Sequence, residues 1–174
     1  SAFGYFGHMW ELYAFYAFLP VLLAAHLGSQ GASMSLWSFA AIASGLFGCV
    51  VGGYFSRSLG SARVARAQLA ASGMCCLLSP LAFLAPSPVF LAFLLFWGVV
   101  VVGDSPQFST LNARFAPAGL VGSALTIANC IGFSITIASI GLLSFLIGVI
   151  GPQYVFLMLV PGPLLGLMAL RRLV

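Results

Sequence analysis

Residues 120–147 read LVGSALTIANCIGFSITIASIGLLSFLI, a run without one charged side chain. A helix that crosses a hydrocarbon core about 30 Å thick needs about 20 mostly apolar residues, and this run exceeds that length. The strands of a membrane barrel would alternate polar and apolar residues with a period of two. Here the apolar residues are continuous, so the run predicts a transmembrane helix, and the uncharged stretch around it reaches from residue 115 to residue 170.

The same ruler, moved outward, finds six spans: residues 4–25, 36–55, 67–85, 88–112 with a break near Pro106, 120–147 and 153–170. Their connections are marked by a short polar stretch at residues 26–35, by Pro86-Ser87-Pro88 and by Gly151-Pro152. The composition agrees. Hydrophobic residues make up 62% of the 174 residues, charged residues only 5%, and the mean hydropathy is +1.17. A soluble domain carries about 25% charged residues. The expected fold is an all-α integral membrane bundle, one six-helix transmembrane domain over residues 1–174. Gly45, Gly48 and Gly52 recur in the second span at the spacing that lets helix backbones approach closely.

Six arginines, one Asp and one Glu are the charged residues, for a net charge of +4. Arg57, Arg63 and Arg66 fall between spans two and three, Arg114 between four and five, and Arg171 and Arg172 after span six. Six crossings put all of them on one side. The positive-inside rule then places both chain ends in the cytoplasm and the protein in the cell's inner (plasma) membrane. Nucleic-acid binding needs basic residues clustered on a wet face, which interleaved arginines do not offer. The chain opens on Ser1-Ala2-Phe3, with neither an initiator Met nor a basic leader, and reads as an interior piece of a longer polypeptide.

Ionisable residues inside a span cost about 2.5–3.5 kcal/mol each, so the two carboxylates draw the functional reading. His8 and Glu11 are three residues apart in the first span and share a helical face. They are expected to pair or to exchange a proton, as part of a proton- or substrate-binding cavity. The competing reading is a structural polar pair near the interface, with Trp10 and the tyrosines as belt aromatics. Asp104 and Gln107 flank the break at Pro106, where a cavity or a helix-end cap would use an acid. Ser123, Thr126, Cys130 and Ser134 fall on one face of span five with Asn129 at its edge, either as a water path or as hydroxyls bonded to their own helix. Cys49, Cys75, Cys76 and Cys130 lie in apolar runs and read as small buried hydrophobes. No metal-ligand spacing, phosphate loop, dinucleotide fingerprint or nucleophile elbow is present. Neither enzyme chemistry nor a cofactor is expected.

The loop between spans two and three reads Gly52-Gly53-Tyr54-Phe55-Ser56-Arg57-Ser58-Leu59-Gly60-Ser61-Ala62-Arg63-Val64. It resembles a worn copy of the loop motif of the major facilitator superfamily, Gly-Gly-x-Leu-Ala-Asp-Arg-x-Gly-Arg-Arg-Arg-Val. Gly52, Gly53, Gly60, Arg63 and Val64 match. Arg57 stands where the family has Asp, and Ser58, Ser61 and Ala62 replace basic residues. Degenerate copies of the motif belong to the family's second half, and residues 1–20, 104–109, 122–126 and 151–172 are similar to further pieces of it. The resemblance implies the C-terminal six-helix half of a secondary transporter, proton-coupled and moving a small solute by alternating access. The partner half would lie on the same polypeptide or on a second chain. A different class also fits the sequence: a non-transporting structural or assembly subunit of a larger membrane complex.

Overall fold

In a computed structural model of the chain, residues 1–28, 32–171 and 173 are described; Gln30 of the predicted polar loop and Arg172 lie outside them. The described residues form helices and short connections, with no strand among them. In chain order the helices are α1 (Ala2–Leu27), α2 (Ala32–Ala43), α3 (Gly45–Leu59), α4 (Ser61–Phe83), α5 (Ser87–Gly103), α6 (Ser105–Phe115), α7 (Val121–Ile150), α8 (Pro152–Val155) and α9 (Pro161–Leu170), with a 3₁₀ turn Phe156–Leu159 between the last two. They combine into six segments long and apolar enough to cross a membrane: Ala2–Leu27, Ser33–Leu59, Ser61–Phe83, Ser87–Phe115, Val121–Ile150 and Pro152–Leu170. Six such segments are compatible with a multi-pass membrane protein.

Three segments run as continuous helices and three are jointed. α1 ends at Gly28, whose φ of 60° turns the chain and lets its N–H bond the Ala24 carbonyl. The second segment bends at Ser44, where the hydroxyl donates to the carbonyls of Ala41 at 2.7 Å and Leu95 at 2.9 Å. The fourth breaks at Asp104, just before Pro106, which has no N–H to give the preceding turn. The sixth, read from sequence as one span, is split by its 3₁₀ turn ahead of Pro161 and Pro163. The third begins at Ser61, earlier than the predicted residue 67. Arg63 and Arg66 extend the helix although they would not enter hydrocarbon, a difference that a hydropathy ruler cannot register.

Small residues set the packing. Gly45 and Gly48 are buried against α5, and a Cβ at Gly48 would run into the Val99 carbonyl; Gly52 faces Gln68 and Gly103. Gly7 of α1 faces Gly162 and Gly166 of α9 in the same way. α1 packs mainly on α9 and α7, and α3 on α5. The core between them is apolar, with Trp97 set against Phe15 (4.7 Å between centroids) and Phe156 (5.2 Å). Outward lie Leu36, Phe39, Phe47 and Val50 of the second segment and Ile127, Ile137, Phe145 and Val149 of α7.

The ends of the bundle differ. Leu59, Gly60, Arg63, Arg114, Phe115 and Leu173 line one cavity, so the α3–α4 turn, the end of α6 and the C-terminal residues meet at one end. Ser1 and Ala2 join Phe115 and Ala116 there. At the other end His26 Nδ1–H donates to the Phe83 carbonyl (2.9 Å) and the ring stacks on Phe90. The two described arginines of the cavity therefore share an end with both chain termini.

Candidate functional site

α1 turns both His8 and Glu11 inward, and both are about 1% exposed. They do not pair with each other, as their spacing suggested. Side chains three positions apart on a helix diverge by about 60° at 100° per residue, and each finds a different neighbour. His8 Nδ1 lies 2.8 Å from Asp104 Oδ1, at the α5–α6 break. Glu11 is turned toward α4 and α5: its Oε1 accepts from Trp97 Nε1 at 2.9 Å and from Cys76 Sγ at 3.4 Å, and its Oε2 from Ser72 Oγ at 2.9 Å.

The two carboxylates are therefore held differently. Glu11 sits in a closed set of donors, with Ser72 and Cys76 one turn apart on α4 and the indole of Trp97 from α5. Asp104 has no exposed surface. Its side chain makes no cap to α6, and only its backbone carbonyl serves the helix, accepting from the Phe108 N–H at 2.9 Å. The expected cap is therefore absent, and the carboxylate answers to His8 instead. Beyond the 2.8 Å approach of Nδ1 to Oδ1, His8 Nε2 and both carboxylate oxygens of Asp104 are buried without a hydrogen-bond partner. Such atoms are costly in an apolar interior. The Phe108 ring lies beside His8 with 5.8 Å between centroids, and the Tyr5 ring is tilted by 33° to the same imidazole at 6.1 Å.

Gln107 is buried on the first turn of α6, near Asp104 in sequence and in the interior. Asn129 of α7 joins from the side, accepting a 2.9 Å bond from the Tyr5 hydroxyl, so Tyr5 links it to the face that carries His8. Thr126 does not join. It is exposed and its hydroxyl bonds the Gly122 carbonyl of its own helix at 2.9 Å, as Ser134 bonds Cys130. The hydroxyls that α7 does send inward are Thr136, which reaches the Met9 carbonyl at 3.0 Å, and Ser139, which bonds the Thr136 carbonyl of its own helix at 3.0 Å. Of the cysteines, Cys75 and Cys76 are buried, Cys49 is half-buried and Cys130 is exposed. Reading all four as buried hydrophobes is thus corrected on two counts, exposure and the Cys76 bond to Glu11.

The loop residues lie apart from this cluster. Gly52 is buried in α3, Gly53 faces open space, Arg57 is exposed in the last turn of α3, and Gly60 adopts a φ of 83° that ends the helix. Arg63 follows in the first turn of α4, exposed. Ser72 and Trp97 were not singled out in the sequence, and Cys76 was read there only as a small buried hydrophobe. Only the small polar Ser72 inside an apolar run hinted at them. A cavity of about 520 Å³ lies between α1, α7 and α9 and is walled by Phe3, Phe6, Trp10, Ile135 and Leu165, without His8, Glu11 or Asp104. Compared with family models, with curated proteins and with solved structures, the chain finds no match in any of the three.

Proposed function

We propose that the chain is one half of a secondary transporter of the major facilitator type, moving a small solute by alternating access and coupling it to protons, with both ends and the arginines in the cytoplasm. The observation that carries this reading is the His8–Asp104 pair: two ionisable groups, fully buried, joining a continuous helix to the break in a jointed one. The worn loop motif and the six-span plan support it. A buried pair is strongly disfavoured once one partner is withdrawn. If α6 moves relative to α1, Asp104 must be neutralised as His8 leaves it, and a proton from water is the available means. Proton binding then accompanies the conformational step. Glu11, held by three donors on α4 and α5, keeps α1 registered against its neighbours while this happens.

The test uses the full-length protein in proteoliposomes loaded with a pH-sensitive dye and offered a panel of sugars, amino acids and small organic anions. Solute-dependent proton movement that is lost in Asp104→Asn, with solute exchange retained, is the expected result. Proton movement unchanged in that variant removes the pair from the mechanism. A folded protein that moves none of the panel and co-purifies with a larger membrane complex favours the assembly-subunit reading.

A further inference from the structure

The arginine end of the bundle holds a cavity of about 400 Å³ between the α3–α4 turn, the end of α6 and the C-terminal residues. Two guanidinium groups, Arg63 and Arg114, line it together with the apolar Leu59, Leu111, Phe115 and Leu173. Neither arginine has an acidic side chain to pair with, because the chain contains two acids and both are buried with other partners. A second cavity, about 340 Å³, adjoins the first. It runs between α3 and α4, is walled by Val51, Phe55, Val64 and Ala67, and shares Leu59 and Arg63 with its neighbour. A cationic pocket thus lies beside an apolar groove between two helices long and apolar enough to cross a membrane.

From this juxtaposition we propose a binding site for an anionic phospholipid, its phosphate held by Arg63 and Arg114 and one acyl chain laid along the α3–α4 groove. Guanidinium groups match phosphate oxygens in a planar, two-pronged geometry. Basic pockets between transmembrane helices on the cytoplasmic side are the recurring sites for anionic headgroups. The groove distinguishes a lipid from a free anion, since inorganic phosphate has nothing to place against Val51 and Phe55. The proposal does not depend on the transport reading, and lipid would fill this site whether the chain is a transporter half or a subunit.

The experiment follows thermal unfolding of the purified full chain in a neutral detergent, with dioleoylphosphatidylglycerol, dioleoylphosphatidylcholine or inorganic phosphate added. Phosphatidylglycerol is expected to raise the midpoint by roughly 5–10 °C, and the other two to leave it nearly unchanged. The double variant Arg63→Gln/Arg114→Gln should unfold at the wild-type temperature without lipid and lose the phosphatidylglycerol response, while Arg57→Gln, outside the cavity, keeps it. Ala67→Phe, which fills the groove, should cut the response by at least half. An equal rise with phosphatidylcholine, a rise with inorganic phosphate alone, a loss in Arg57→Gln as large as in the double variant, or an undiminished response in Ala67→Phe would each overturn the proposal.

Discussion

Asp104 has a single side-chain partner and Glu11 has three, and the difference sets what each substitution should do. His8→Ala leaves a carboxylate buried alone, a change that typically costs about 3–5 kcal/mol. Replacing both members, as His8→Leu/Asp104→Leu, should return much of that loss. A double-mutant cycle of unfolding in detergent measures the coupling, and additive effects would mean that the pair is not formed. At Glu11 the cost is shared among donors. Trp97→Phe removes one of them and should lower stability by about 1–3 kcal/mol, with Phe15 and Phe156 still packed around the ring. His8 and Glu11 themselves were legible in the sequence, since ionisable residues inside an apolar run are rare. Their partners were not. Trp97 reads as one more large apolar residue, and nothing local to α1 says that Asp104, at the break of another helix, arrives beside His8.

At the scale of the helices, close approach is decided at a few glycines. Gly48→Ala would push a Cβ into the Val99 backbone carbonyl, which cannot swing away as a flexible side chain could. Separating α3 from α5 should cost about 1–3 kcal/mol. Gly53→Ala, five residues on in the same helix and facing open space, should be neutral or stabilising by up to about 1 kcal/mol. Unfolding midpoints of the two variants give the comparison, and equal losses would contradict the packing. The Gly45, Gly48 and Gly52 ladder was readable because its spacing is local. The joint at Ser44 was not, because the Leu95 carbonyl that accepts from its hydroxyl comes from another helix. Likewise the polar face of α7 looked like a lining, yet Thr126 and Ser134 bond their own helix. Periodicity shows which residues share a face and leaves open what that face meets.

For the whole molecule, the number of crossings was written in the hydropathy, and the gathering of Arg63 and Arg114 at one end follows from an even count of spans. Which side of the membrane that end occupies is part of the proposed function and has a direct check. In intact cells, a cysteine at the exposed Ser87 should react with an impermeant maleimide, while one at the exposed Ser58 should react only after permeabilisation. The reverse pattern would invert the molecule. The burial of His8 and Glu11 also bears on how the protein is made. α1 is synthesised before α4, α5 and the α5–α6 joint, which carry the side chains that meet His8 and Glu11. At about 5–20 residues per second, the ribosome needs roughly 5 to 20 s to travel from residue 11 to residue 104. During that interval α1, among the less hydropathic of the six segments, faces lipid with its polar groups unanswered. α1 thus enters the bilayer with two ionisable groups whose partners come from helices made later, and shelter by the insertion machinery in that interval would lower the cost.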